Sequence, residues 1–219
     1  MIGVKKVIKK PVFLKILEFF EAEIGPQKSE LIYKNPYTFA ISVLLSAQAT
    51  DKSVNIATRE LFEIVDTPQG MIVLGLDRLK NYIKTIGLYN NKAKNIIALS
   101  EMLVEKFRGR LPKTRDEIQS LPGLGRKSAN VIMNELYGAP YIGVDTHVMR
   151  LSHRLGLVPD NAATPEKIEA LLEKITPEKY KPYISNYLVL YGRYTCTAKK
   201  PKCGGCEIRD LCGYYKTIK

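Results

Sequence analysis

Several patterns are missing from this 219-residue chain, and each absence excludes something. No apolar run approaches the roughly 20 residues of a membrane span; Met71–Leu74 is typical of those present, so no membrane is expected as a partner. No apolar core or small-residue cleavage site follows the basic start Met1–Lys10, with Lys5, Lys6, Lys9 and Lys10. That excludes a secretory signal and predicts an intracellular protein, in a prokaryote-like cytoplasm or nucleoid, where disulfides are not expected. No run of strict apolar/polar alternation sits between hairpin turns, which argues against a sheet. No Gly/Ser- or Pro-rich linker divides the chain, and no fixed-period repeat is visible. Tryptophan is absent, histidine occurs only at His147 and His153, and there are four cysteines.

What is present fits a globular protein. The length suffices to bury one or two cores without disulfide staples, and 45% hydrophobic with 26% charged residues is ordinary for such a chain. Apolar residues recur at helical spacing in Phe13-Ile16-Leu17-Phe20 and in Ile96-Ile97-Leu99-Met102-Leu103. Thr114-Arg-Asp-Glu117 reads as a capping box, and Thr67-Pro68, Thr164-Pro165 and Thr176-Pro177 each place a capping hydroxyl before a proline. The expected fold is therefore mostly or wholly α. A formal charge of +12 favours a polyanionic partner, although a merely basic soluble enzyme has the same total.

All four cysteines fall near the C-terminus, as Cys196-x6-Cys203-x2-Cys206-x5-Cys212. Such a group in a reducing compartment is a metal site far more often than two disulfides. Four-cysteine zinc sites favour two close pairs, and only one C-x2-C pair exists here. An iron–sulfur cluster tolerates the outer, isolated ligands, so the spacing leans that way and leaves zinc open. Between the first two cysteines lie Lys199, Lys200 and Lys202, suited to phosphate contact or simply to keeping a small module soluble.

A second constellation is Leu121-Pro122-Gly123-Leu124-Gly125-Arg126-Lys127-Ser128-Ala129-Asn130, between the helical patterns Asp116–Leu121 and Ser128–Leu136. It is neither a P-loop, because Arg126 replaces the glycine before the lysine, nor a dinucleotide fingerprint, because Ser128 replaces the third glycine. It reads as a tight turn whose amides, at the following helix N-terminus, can hold a phosphate; a plain helix–helix turn is equally compatible with two glycines. Lys127 falls in the first helical turn, where the helix dipole and any burial disfavour the ammonium form. A deprotonated lysine suits Schiff-base chemistry, whereas a solvated one binds phosphate as a point charge. Asp145, in Val144-Asp145-Thr146-His147, is a carboxylate at the start of an expected helix Thr146–Leu155, and by itself reads as an N-cap. Ser46–Asp51 looks like a tight surface segment around Gln48, and Gly87–Asn90 like a turn with Leu88 at its apolar tip.

Together these segments resemble the endonuclease III family of DNA glycosylase/AP lyases, in the helix–hairpin–helix superfamily. The match is carried by Leu44–Asp51, Tyr82–Asn90, Leu121–Val131, Val144–His147, Gly192–Cys196 and the cysteine pattern, and covers nearly all the chain after about residue 12. Its departures are small: Ser128 stands where threonine is frequent, Leu124 where valine is, and the basic extension before Pro11 is peculiar to this chain. The resemblance implies an all-α, two-domain fold: a six-helix barrel domain with the hairpin at 29–139, and an iron–sulfur domain from 1–28 and 140–219, with the active site in the cleft between them. It implies one 4Fe–4S cluster on Cys196, Cys203, Cys206 and Cys212, and a monomer acting on double-stranded DNA that contains damaged bases or abasic sites. Lys127 is implied as the nucleophile and Asp145 as its carboxylate partner. Gln48 and Leu88 take wedge positions, Gly123, Gly125 and Arg126 the phosphate clamp, and Lys199, Lys200 and Lys202 a second backbone contact. The implied reaction is excision of an oxidised or damaged pyrimidine through a lysine Schiff base, then strand cleavage by β-elimination. The alternatives are a non-enzymatic helix–hairpin–helix DNA-binding module, a monofunctional uracil or mismatch glycosylase, and an electron-transfer protein.

Overall fold

The computed structural model describes residues 7–26 and 29–218, and every regular element among them is helical. Lys5 and Lys6 of the basic start lie outside the described residues. Lys9 and Lys10 are exposed and open the first helix, with Pro11 in its first turn. The helices are α1 (Lys10–Ile24), α2 (Pro36–Leu45), α3 (Asp51–Ile64), α4 (Pro68–Leu74), α5 (Leu76–Ile83) and α6 (Tyr89–Phe107), then α7 (Arg115–Ser120), α8 (Arg126–Tyr137), α9 (Thr146–Leu155), α10 (Pro165–Ile175), α11 (Lys181–Tyr194) and α12 (Tyr215–Ile218). Two compact units form. One is Ser29–Gly138; the other joins the chain up to Lys28 with the chain from Ala139 onward. Ala139, placed with the barrel by the sequence reading, goes with the discontinuous unit.

The Ser29–Gly138 unit is built around α2. Every residue from Tyr37 to Leu45 is buried, the pattern of a helix enclosed on all sides. Proline at its start and a reciprocal box between Asn35 and Thr38 satisfy its first amides without outside help. α3, α6 and α8 pack directly on it. Its one buried hydroxyphenyl, Tyr37, shares a 2.7 Å hydrogen bond with Ser100, which in turn donates to the Ile96 carbonyl.

The discontinuous unit has its own core of Phe13, Ile16, Leu17 and Phe20 from α1 against Val148, Leu151, Ile184 and Leu188. α9 and α11 cross closely at Gly192, where a Cβ would lie 3.1 Å from that of His147. Thr67, Thr114 and Thr164 cap α4, α7 and α10 as their positions predict. At Thr114 only half of the expected box forms, because the Glu117 carboxylate accepts the Thr114 hydroxyl proton at 2.6 Å. Thr176 corrects the reading more fully. It closes α10, and the proline after it leads into a short 3-10 turn, Glu178–Tyr180, without a side-chain cap.

Candidate functional site

The hairpin is a turn whose shape its sequence dictates. The Leu124 amide donates to the Leu121 carbonyl at 3.1 Å, with Pro122 and Gly123 between them. Gly123 has φ +79°, the left-handed value this turn type requires at its third residue. A Cβ there would also lie 2.7 Å from Leu44 Cδ1 on α2 and 3.0 Å from Asn95 Cβ on α6. Leu121 and Leu124 are buried and seat the turn. Gly125 differs: its φ is not positive, and a Cβ there would meet nothing within 4 Å. It is the N-cap of α8 and brings no side chain to the first-turn amides, so that helix end offers donors and partial positive charge to an incoming anion. Arg126 and Lys127 occupy that first turn. Lys127 is exposed and makes no hydrogen bond or ion pair with the described residues, so the burial considered from sequence is absent and only the helix-end position remains.

Gln48 and Leu88 lie in the same unit and share an uncommon backbone. Their φ values are +57° and +60°, and both side chains are exposed, Leu88 at 61%. The left-handed region costs a non-glycine residue about 1–2 kcal/mol. Arg108, the third such residue among those described, ends α6 as its C-cap, an ordinary use of the conformation. Gln48 caps no helix, and Leu88 is the N-cap of α6, a position that ordinarily takes extended backbone. A residue the sequence reading missed joins their segments: Lys92 Nζ donates to the carbonyls of Leu45 and Ala47.

In the discontinuous unit, Asp145 is half-buried and caps α9. Its Oδ1 accepts from the amides of His147 at 2.8 Å and Val148 at 2.9 Å, while Oδ2 makes no hydrogen bond with the described residues. The structural reading of Asp145 is thus correct, and it leaves one carboxylate oxygen for other work. Burial holds His147 below the usual imidazole range, and Arg150 lies 3.1 Å from its Nδ1. His153, the other histidine, sits in the last turn of α9.

Cys196, Cys203, Cys206 and Cys212 are all free thiols and line one apolar cavity together with Leu151, Leu155 and Ile208. Among the described residues no three His, Cys, Asp or Glu side chains converge as ligands of a single ion. Four soft sulfurs around one apolar cavity fit a multi-iron cluster. Burial pushes the Cys203 and Cys212 thiols up, so proton loss there needs the compensation iron provides. The Tyr191 hydroxyl lies 3.2 Å from Cys206 Sγ, and Arg154 Nη1 donates to Cys196 Sγ at 3.3 Å.

Two arginines brace the adjoining lysine loop. Arg150 donates to the carbonyls of Gly192 and Cys196, and Arg154 to those of Thr197 and Ala198 at 2.7 and 2.8 Å. Thr197 Oγ1 closes the loop onto the Lys200 carbonyl, and Lys199, Lys200 and Lys202 stand exposed. The sequence signal for this brace was available: His147, Arg150 and Arg154 recur at three- and four-residue spacing on one face of α9.

Comparison with known proteins agrees with these features. Residues 41–178 match the model of the HhH-GPD superfamily of base excision DNA repair proteins. Residues 196–212 match the iron–sulfur binding domain of endonuclease III. The chain is 48% identical over 203 residues to endonuclease III of Rickettsia felis, covering 93% of this chain and 94% of that one. It is 46% identical over 190 residues to endonuclease III of Escherichia coli strain K12, covering 87% and 89%. A solved structure of a trapped endonuclease III–DNA covalent intermediate, an estranged-adenine complex, superposes with a TM-score of 0.90 at 39% identity, covering 97% of this chain and 99% of that one. Among the described residues no helix is long and apolar enough to cross a membrane. The chain therefore belongs to the endonuclease III family, bifunctional DNA glycosylase/AP lyases of base excision repair that carry a 4Fe–4S cluster.

Proposed function

We propose that Lys127 is the nucleophile of this enzyme and Asp145 its carboxylate, acting on a damaged pyrimidine flipped out of duplex DNA. The observation that carries the reading is the start of α8, where bare amides behind Gly125 and an exposed lysine share one helical turn. Backbone phosphates supply most of the affinity and positioning. The Gly123–Gly125 amides and Arg126 take one phosphate, and Lys199, Lys200 and Lys202 another. Flipping costs least where damage has already weakened stacking, and Gln48 and Leu88 fill the vacated space.

Lys127 Nζ, freed of a proton that Asp145 accepts, bonds to C1′ as the C1′–N bond breaks and the base leaves with the electron pair. Asp145 Oδ2 stabilises the positive charge that develops on the sugar. The C1′–O4′ bond then breaks, O4′ takes up a proton and the nitrogen lone pair forms the Schiff base, which acidifies C2′; loss of that proton expels the 3′ phosphate by β-elimination, and water then releases the enzyme. Cys196, Cys203, Cys206 and Cys212 would hold the 4Fe–4S cluster, which supplies a structural cross-link under the lysine loop. One chain is the working unit, since one lysine and one carboxylate complete the chemistry, and it acts in the nucleoid.

Borohydride reduction during turnover of a thymine-glycol duplex tests the Schiff base. A single covalent enzyme–DNA adduct is the expected product, and wild-type enzyme that turns over without one rules out this chemistry. The two hairpin glycines separate folding from binding. Gly123→Ala should lower stability by about 1–3 kcal/mol, from left-handed strain plus overpacking against Leu44 and Asn95. Gly125→Ala should lose only about 0.5–1 kcal/mol, the cost of alanine at an N-cap, but bind DNA about tenfold more weakly, because no protein atom crowds that Cα and an added methyl would obstruct an incoming phosphate. Filter binding and thermal melting read both; equal loss of stability in the two variants would mean that Gly125 serves only the fold.

A further inference from the structure

We infer that Lys92 is a positioning residue for lesion opening, its ammonium tying the segment that carries Gln48 to the helix start that carries Leu88. The inference rests on the wedge roles proposed above for those two residues.

Lys92 is the fourth residue of α6, in a helical turn whose amides carry partial positive charge. It is only 6% exposed. A cation so placed is disfavoured twice, by desolvation and by its own helix, unless acceptors surround it. The acceptors come from a segment more than 40 residues away. Nζ donates to the Leu45 carbonyl at 2.9 Å and to the Ala47 carbonyl at 2.6 Å. Leu45 is the last residue of α2, so its carbonyl belongs to the set a helix leaves without internal donors, at the negative end of that helix. Ala47 immediately precedes Gln48. On its own side, the Lys92 amide bonds back to the Leu88 carbonyl at 3.1 Å. One residue thus spans the distance between two exposed side chains whose left-handed backbones cost energy to hold.

Burial alone does not require a lysine at this place. An apolar side chain of similar length fills the same space but leaves two carbonyls without donors and the Gln48 segment free to shift. The ammonium fixes the separation of the two segments. Duplex opening needs that separation held, whereas cleavage of a strand that is already single does not.

The test uses the cluster-loaded full chain, wild type and Lys92→Met, with two substrates. Lys92→Met should slow single-turnover cleavage of a thymine-glycol duplex by about 10- to 100-fold, the size of effect expected from displacements near 1 Å. Cleavage of a single-stranded abasic oligonucleotide should change by less than about twofold. Lys92→Arg, which keeps the cationic donor, should recover part of the duplex rate. In a Gln48→Ala/Leu88→Ala background, Lys92→Met should add less than about twofold, as for residues acting through one another. The inference is overturned by an unchanged duplex rate, by equal loss on both substrates, or by effects that multiply in the double-alanine background. A wild-type duplex rate in the double-alanine variant alone would overturn the wedge reading and this inference with it, and that result needs no Lys92 variant. If Lys92→Met fails to fold in thermal melting, Lys92→Gln, which shortens the donor and removes its charge, takes its place with the same deciding outcomes.

Discussion

Lys127→Gln should leave a protein that folds and binds DNA like wild type but cleaves thymine-glycol duplex at least about 10³-fold more slowly, with no borohydride adduct. The size of the effect follows from removing the group that bonds to C1′, for which the remaining contacts have no substitute. The intact fold follows from the surroundings of Lys127, which is exposed and makes no hydrogen bond or ion pair with the described residues. Removing a cation from a helix N-terminal turn relieves an unfavourable dipole interaction of about 0.3–1 kcal/mol, so melting should stay level or rise by roughly 1–4 °C. A lysine that only binds phosphate gives a different result. Its loss lowers the slope of log affinity against log salt by about 0.9 and leaves the chemistry running. Single-turnover kinetics, trapping and a salt titration on one variant therefore distinguish the two roles.

The second large effect concerns Asp145, whose two roles call for two substitutions. Asparagine keeps an Oδ1 that accepts from His147 and Val148, so Asp145→Asn should melt with wild type. It lacks the charge that receives the lysine proton and steadies the sugar cation, and turnover should fall by about 10²- to 10⁴-fold with DNA binding retained. Alanine removes the cap as well, at about 1 kcal/mol, which lowers melting by roughly 2–4 °C in a chain of this size. Asp145→Ala should thus be as inactive as Asp145→Asn and measurably less stable. Should Asp145→Asn keep full turnover while Asp145→Ala loses only stability, capping is the whole function of this residue.

The cysteine site and the hairpin show how far local pattern reaches. Spacing alone left zinc and iron–sulfur both open; the resemblance implied the cluster, the match of residues 196–212 to the iron–sulfur binding domain of endonuclease III supports it, and four thiols around one apolar cavity fit it. At the hairpin, the proline and the first glycine were legible as a turn, and Asp145 as a cap. Which glycine the fold requires was not legible. Gly123 is compressed by Leu44 and Asn95, while Gly125 has open space, and both facts belong to packing partners from other helices. Thr176 failed as a helix cap because a Thr-Pro pair suits either end of a helix, and the chain beyond it forms only a 3-10 turn.

By itself the sequence determined the all-helical class, most helix starts, the cysteine set and the family. These are written in spacings of two to seven residues, or in motifs that survive at nearly half identity. Only the tertiary structure decided that Gln48 and Leu88 share a left-handed backbone, that Lys92 joins their segments, and that Arg150 and Arg154 brace the lysine loop from α9. The physical reason is range. Helix periodicity and capping are satisfied within about four residues, whereas the Lys92–Leu45 and Arg154–Cys196 contacts join residues 47 and 42 positions apart, and exist only once two helices have packed and left unpaired carbonyls facing a cation.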